Sequence, residues 1–350
     1  MGSIAAGQSL DELLAGVVER RGAEAGLACA ARAVGELARA AAQLSEIIAR
    51  PAADADLGAS VGAANADGDA QKRLDVIADQ ICTDALRRAG VGAFLSEETP
   101  GATMLNADGE IAVAIDPLDG SSNIEVNGVI GTIFSILPSL PGAEDPARAF
   151  FVAGRQQIAA GFFSYGPQTT LTVSFGEGVH IFALDRDAGR FVLTHASVRI
   201  PQGLGEYAIN ASNHHHWREP VRRFIEHCLA GLTGPHARSF NMRWAGALAF
   251  DAYRVFIRGG LFLYPADARA GYEQGRLRLL YEVAPMAFLA EQAGGAATDG
   301  ERDVLDRVPA RLHERCPLVL GPRDGVDLVR RYHLEPELIA QGSAGIVVGA

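Results

Sequence analysis

Residues 111–123 read Ile-Ala-Val-Ala-Ile-Asp-Pro-Leu-Asp-Gly-Ser-Ser-Asn, an apolar run that ends on two carboxylates. A short apolar run bounded by turn formers is the pattern of a buried strand. Pro117 fixes its own φ and biases Asp116 toward extended geometry, so Asp116 and Asp119 can converge at the strand's C-terminal end. Gly120, Ser121 and Ser122 then offer backbone amides and small hydroxyls in a turn, a combination that suits a phosphate. A divalent cation on the aspartates and a phosphate on the amides would lie side by side, as metal-dependent phosphate-ester hydrolysis requires. Asp, Pro, Gly and Ser are also ordinary turn formers, so the segment alone does not decide the matter.

A second acidic cluster lies upstream. Asp69 and Asp75 bracket Gln-Lys-Arg-Leu, and Glu97-Glu98 follow the apolar stretch 91–95. Both glutamates therefore fall at a predicted strand end, where active-site groups gather in α/β sheets. Mg²⁺ prefers carboxylate and water oxygens in an octahedral array, and a site with two or more ions needs about this many acids.

The net charge of −11 argues against a nucleic-acid partner. No apolar run reaches the length of a membrane span, and residues 1–10 lack the charged-then-apolar pattern of a signal peptide. Cys29, Cys82, Cys228 and Cys316 are scattered without metal-ligand spacing, which predicts free thiols in a reducing cytoplasm. Lys72 is the only lysine, against thirty arginines, a bias that reads as genomic base composition. His214-His215-His216 reads as a polar loop, since three consecutive side chains cannot all face one ion.

Ser9 and Glu12 form a capping box that opens a helix. A second, alanine-rich helix spans about 28–49 and stops at Pro51. Residues 52–68 hold almost no large apolar side chains and lead into Asp69, which predicts a mobile loop over 52–72, either one that closes over the site or a merely exposed connection. Alternating residues over 171–175, 179–184 and 190–194 predict an antiparallel meander. A new α/β block starts near Pro201. It carries helices around 220–229 and 246–258, a strand at 261–264 and a helix at 285–293 that ends at Gly294-Gly295. The expected fold is α/β with two domains, 1–200 and 201–335, and a flexible tail over 336–350.

Taken in order, Asp69…Lys72-Arg-Leu-Asp75, Ser96-Glu-Glu98, Asp116-Pro-Leu-Asp-Gly-Ser-Ser-Asn123, Gly131-Thr-Ile-Phe-Ser135, Tyr264-Pro-Ala266 and Leu279-Leu-Tyr-Glu-Val-Ala-Pro-Met286 resemble the class I fructose-1,6-bisphosphatases. The resemblance covers roughly residues 10–335. The aspartate-glycine-serine box is shared with inositol monophosphatase-like enzymes; the boxes at 264–266 and 279–286 narrow it to the bisphosphatase branch. It implies a layered αβαβα sugar-phosphatase fold and Mg²⁺-dependent removal of the 1-phosphate of fructose 1,6-bisphosphate, with Mn²⁺ as an alternative ion. The implied metal ligands are Glu97, Asp116, Asp119, Glu282 and the main-chain oxygen of Leu118. Asp75 and Glu98 resemble the pair that orients and deprotonates the nucleophilic water, each raising the other's proton affinity, and Asp69 matches the acid on the closing loop.

On the substrate side the resemblance implies Asp119, Gly120, Ser121 and Ser122 at the reacting phosphate, and Asn210, Arg243, Tyr264 and Arg276 at the sugar and distal phosphate. Arg243 resembles a residue that reaches in from a neighbouring subunit, which implies a homotetramer. Arg276 stands where the family usually has lysine, and Trp244 and Asn213 where many relatives have tyrosine. An arginine can still neutralise phosphate, with different geometry. Sedoheptulose 1,7-bisphosphate is the competing substrate, and a catalytically silent sugar-phosphate binding protein is the reading from another class. The family's AMP site needs a threonine-bearing helix start and a lysine-tyrosine pair. Here the approach reads Arg21-Gly-Ala-Glu-Ala-Gly-Leu27 and the pair is Glu110 and Ile111, so AMP inhibition is not expected. The alanine- and arginine-rich chain resembles bacterial Calvin-cycle members.

Overall fold

The computed structural model describes residues 7–50, 57–64, 70–139 and 141–335. The chain opens with α1 (Leu10–Arg21) and α2 (Leu27–Ala49), and the Ser9–Glu12 capping box closes both ways, Glu12 N donating to Ser9 Oγ and Ser9 N to Glu12 Oε2. The antiparallel pair β1 (Ser60–Ala64) and β2 (Ala70–Lys72) follows. Part of the segment read from sequence as a loop is thus a two-stranded ladder, with Ser60 opposite Lys72 and Ala64 opposite Ala70. Residues 51–56 and 65–69, Asp69 among them, and the tail 336–350 lie outside the described residues.

Next come α3 (Arg73–Ala89), β3 (Ala93–Ser96), β4 (Thr103–Met104), β5 (Ile111–Asp119), β6 (Ile130–Pro138), β7 (Ala159–Tyr165), β8 (Thr169–Ser174), β9 (Val179–Asp185) and β10 (Arg190–Val198). They form an eight-stranded sheet in the order β10-β9-β8-β7-β6-β5-β3-β4, antiparallel throughout except for the parallel β3–β5 pair. The predicted meander is β8 to β10. All nine residues of β5 are buried, so it is a central strand covered on both faces, as its unbroken apolar run requires.

The second half contributes β11 (Glu206–Ala208), α4 (Glu219–Leu229), β12 (Asn241–Met242), α5 (Leu248–Arg258), β13 (Leu261–Tyr264), β14 (Leu277–Arg278), a π turn over Leu279–Val283, α6 (Ala284–Gln292), β15 (Gly295–Thr298), β16 (Arg315–Cys316), β17 (Leu318–Pro322) and α7 (Arg323–Leu334). A five-stranded mixed sheet runs β12-β11-β13-β17-β15, and β14 pairs with β16. The three histidines lie in a 3₁₀ turn over Ala211–His216.

Three apolar clusters define five layers. Helices α1 to α3 pack on one face of the large sheet through Ile111, Val113, Ile115, Phe134 and Phe163. On the opposite face, Ile133, Phe162 and Ile181 meet α5 and α6, which also cover Phe262, Leu318 and Leu320 of the small sheet. The outer face of the small sheet, with Leu261, Leu263 and Val319, packs under α4 and α7 through Phe224, Val329 and Tyr332. The alternation 133/134 and 162/163 sends successive side chains to different cores, as the period-two geometry of strands demands. This is the expected αβαβα stack. All four cysteines are buried and unpaired, and no described helix is long and apolar enough to cross a membrane.

Where α5 meets the large sheet the backbones nearly touch. A Cβ at Gly131 would lie 2.3 Å from Ala249 Cβ and 2.8 Å from Phe163 O. Gly131→Ala should therefore cost about 1–3 kcal/mol as overpacking in a close-packed interior. Urea unfolding followed by fluorescence checks this, and an unchanged midpoint contradicts it.

Candidate active site

The parallel pair β3 and β5 delivers the acids. Glu97 continues the ladder past β3, its amide donating to Ile115 O at 3.1 Å, and places Glu98 beyond the strand end. In a regular strand, residues three apart point to opposite faces. The β5–β6 register breaks between Asp116 and Asp119, around Pro117, and this irregularity turns both carboxylates to one side. Asp116 Oδ1 accepts from Leu118 N at 3.0 Å; Asp119 accepts from Leu248 N at 3.0 Å and Ala249 N at 2.7 Å, the first amides of α5. An anion at a helix N-terminus is stabilised there, which fixes Asp119 between the two halves of the chain. Gly120 follows at φ +80°, where a Cβ would lie 2.7 Å from Ala247 Cβ, so only glycine fits.

Glu282 comes from the π turn. Ala284 N donates five residues back to Leu279 O, and Pro285, with no N–H, cannot restore the α pattern. Oxygen atoms of Asp116, Asp119 and Glu282 lie within 4.8 Å of one another, and all three side chains are buried. Glu97 is tied to them through Arg278, whose Nη2 lies 2.7 Å from Glu97 Oε1 and Nη1 3.8 Å from Glu282 Oε2. Arg278 N also donates to Glu282 Oε2 at 2.6 Å. Burial, then mutual repulsion, holds the Asp116 carboxyl well above the usual range; burial pushes Asp119 to about 7 and Glu282 to about 8. Hard carboxylate oxygens packed this tightly against their own repulsion fit a hard divalent cation.

Asp75, in the first turn of α3, accepts from Lys72 N at 2.6 Å through Oδ2, while its buried Oδ1 has no hydrogen-bond partner. Glu98 Oε2 accepts from Gln71 Nε2 at 2.5 Å. Burial raises Asp75 to about 6 and Glu98 to about 7; the charge of Asp75 contributes to Glu98 only after burial and the Gln71 hydrogen bond. Desolvation, not carboxylate pairing, is the main cause, which corrects the emphasis of the sequence argument.

A cavity of about 360 Å³ gathers Asp75, Glu97, Glu98, Asp116, Leu118, Asp119, Gly120, Ser121, Ser122, Tyr264, Arg276 and Glu282. Asn210 and Arg243 do not line it. Asn210 caps the histidine turn, its Oδ1 accepting from Ser212 Oγ at 2.6 Å. Arg243 is exposed, its Nη1 donating to Met242 O at 3.1 Å. Trp244, stacked on Phe262 at 6.0 Å between centroids, reaches the cavity; Asn213 does not. Sequence reasoning missed Gln71, Lys72 and Arg278. Arg278 could have been found from the alternation Arg276-Leu277-Arg278, which puts both arginines on one face of a strand. Lys72, quoted in the family motif but given no role there, pairs with Glu125 at the cavity rim.

Two family models match, one described as Fructose-1-6-bisphosphatase, N-terminal domain, over residues 21–196, and one as Fructose-1-6-bisphosphatase, C-terminal domain, over 200–334. A protein of Rhodopseudomonas palustris (strain HaA2) named fructose-1,6-bisphosphatase class 1 is 48% identical over 330 residues, 94% of each chain. One of the same name from Methylorubrum extorquens (strain PA1) is 53% identical over 327 residues, 93% of this chain and 92% of the other. The solved structure of Leishmania major fructose-1,6-bisphosphatase in holo form superposes with a TM-score of 0.85 at 28% identity, over 95% of this chain and all of that one. The fold and the acidic cavity define a layered sugar-phosphatase architecture. The chain belongs to the class 1 fructose-1,6-bisphosphatase family.

The repulsion in the cluster makes a prediction for the metal-free protein. Folding depresses the ionisation of Glu282, so its contribution to stability declines as pH rises from about 4.5 to about 8. Glu282→Gln removes one buried charge while keeping an acceptor for Arg278 N. In chelator at pH 8 the variant should be at least as stable as the parent, but whatever rise in Tm a divalent cation such as Mn²⁺ gives the parent should be lost. A retained Mn²⁺-induced rise in calorimetry would remove Glu282 from the ligand set.

Proposed function

We propose that this chain hydrolyses the 1-phosphate of D-fructose 1,6-bisphosphate to D-fructose 6-phosphate and phosphate, with Mg²⁺ as the working ion and Mn²⁺ able to replace it. The observation that carries the reading is the convergence of Asp116, Asp119 and Glu282 oxygens in the cavity that also holds the Gly120–Ser122 turn and Arg276.

Glu97, Asp116, Asp119, Glu282 and the Leu118 carbonyl would hold the ions, which neutralise phosphoryl charge and acidify water. The Ser121 and Ser122 amides open a 3₁₀ turn, with no partner inside it, and orient the reacting phosphate. Glu98, held by Gln71, and the half-free carboxylate of Asp75 accept the proton of the attacking water; a base with a proton affinity near neutrality suits that step. Asp69, outside the described residues, keeps the acidic role that the family resemblance implies. Tyr264 and Arg276 receive the sugar and distal phosphate.

Asn210 is assigned to the sugar and distal phosphate, and Arg243 to the distal phosphate of a neighbouring copy in a homotetramer. Supporting this, Arg243 follows β12, an exposed edge strand in which Met242 is 43% exposed. The substrate domain is taken as 201–335 and the metal-bearing domain as 1–200. The reading places the protein in the cytoplasm, in the Calvin cycle or gluconeogenesis.

Phosphate release from fructose 1,6-bisphosphate with Mg²⁺ tests the reading. Comparing kcat/KM with sedoheptulose 1,7-bisphosphate decides the preferred sugar. Asp119→Asn should lower kcat by about three orders of magnitude or more, because metal and electrostatic terms supply most of this catalysis. Retention of more than about a tenth of parental kcat at saturating Mg²⁺ would sink the assignment.

AMP should inhibit little. Ile111 is fully buried and packs under Gly26, whose hypothetical Cβ would lie 2.8 Å from Ile111 Cγ2, and the adjacent Glu110 is exposed and anionic. A nucleotide phosphate would meet repulsion there. Inhibition curves with calorimetry check this; tight, cooperative AMP binding overturns it.

A further inference from the structure

Between β13 and β14 the chain makes a tight surface loop, and its one aromatic residue, Tyr272, collects arginines. The Arg269 guanidinium carbon lies 4.7 Å from the ring centroid, that of Arg276 4.6 Å and that of Arg315 6.0 Å. These cations differ in their other partners. Arg269 is neutralised by Asp267, with Nε 3.1 Å from each carboxylate oxygen. Arg315 Nη1 donates to Gly271 O at 3.0 Å. Arg276 lines the active-site cavity, and among the described residues no carboxylate pairs with its guanidinium.

We propose that Tyr272 is a positioning residue for the bisphosphatase reaction, stacking on Arg276 so that its guanidinium is preset toward the phosphorylated sugar. This rests on the reading given under Proposed function. The choice of partner matters chemically. A carboxylate would hold Arg276 equally well but would neutralise it and compete with phosphate. An aromatic face attracts the cation through its quadrupole and leaves every N–H donor and the full charge available. The substrate then binds an arginine whose side chain is already ordered.

The ring is not needed to close the loop. Asp267 N donates to Tyr272 O at 3.1 Å, Tyr272 N to Arg269 O at 3.0 Å and Gly275 N to Tyr272 O at 3.0 Å, all through the main chain. Gly275, at φ +86°, has Pro317 N 2.7 Å from where its Cβ would be, so the exit of the loop is fixed by backbone contact as well. The ring is therefore free to serve Arg276, and its removal should leave the loop path intact.

The test is steady-state hydrolysis of fructose 1,6-bisphosphate with Mg²⁺ by the full chain. Tyr272→Leu, which keeps bulk without a ring face, should raise KM about three- to tenfold, within the range of a partly desolvated cation–π contact. Its kcat should stay within roughly twofold, since Arg276 binds substrate and transition state alike. Tyr272→Phe should restore the parental KM. Phenylalanines with increasing ring fluorination at position 272, which hold shape and weaken the quadrupole, should raise KM stepwise. On an Arg276→Ala background, Tyr272→Leu should add nothing.

An unchanged KM in Tyr272→Leu, a Phe variant as impaired as Leu, a flat fluorination series, or an undiminished effect without Arg276 would each overturn the inference. A parent protein that releases no phosphate would instead refute the functional reading. The same substitution series, read by calorimetry of bisphosphate binding, would then still decide whether Tyr272 sets the affinity.

Discussion

Like charges gathered out of water are the constraint around which the rest of this molecule is arranged. Six carboxylates, Asp75, Glu97, Glu98, Asp116, Asp119 and Glu282, line one cavity. Isolated buried anions of this kind would protonate or unfold the site. The fold tolerates them through donors that come from elsewhere in the chain: the first amides of α5 on Asp119, the backbone and guanidinium of Arg278 on Glu282, Gln71 on Glu98. Each donor belongs to a different element, so the cavity can form only once the large sheet, α5 and the π turn are assembled. The remaining charge imbalance is what makes the site receptive to divalent cations.

The layer architecture follows from the same geometry. Helices α5 and α6 lie between the two sheets, and each starts at the acidic cluster, α5 by capping Asp119 and α6 by continuing the turn that carries Glu282. The close approach of Gly131 to Ala249 brings the helix start within reach of β5. Packing in the middle layer and charge placement in the site are thus one set of contacts. A change that loosens the first displaces the second.

Much of this was legible in the sequence because local rules and tertiary structure agree. The unbroken apolar run of β5, the Ser9–Glu12 box, the alternation in β8 to β10 and the glycine stop after α6 each carry their own signal. Glu97, Glu98, Asp116 and Asp119 came together because strand-end placement predicts convergence, whereas Asp75 on α3 and Glu282 on the π turn were placed beside them only by the family resemblance. What escaped depends on backbone detail or distant partners. Apart from Val61, the ladder of β1 and β2 is made of residues with weak strand preference. Helix α6 begins one residue before the Pro285 taken as its start, behind a π turn that no periodicity announces. Arg278 and Gln71 act through partners 181 and 27 residues away in sequence, and no local pattern encodes such pairings.

The π turn that carries Glu282 holds one residue more than an α turn would. Successive residues on a helix are separated by about 100° of rotation, so that single residue sets the azimuth of everything N-terminal to it in the turn relative to α6. Loss of one residue within Leu279–Val283 would let the segment relax into an ordinary helix with better hydrogen bonds, while Glu282 swung away from Asp116 and Asp119. The turn is therefore a local defect retained for aim. It marks a place where selection for thermal robustness and selection for turnover pull the same few atoms in opposite directions.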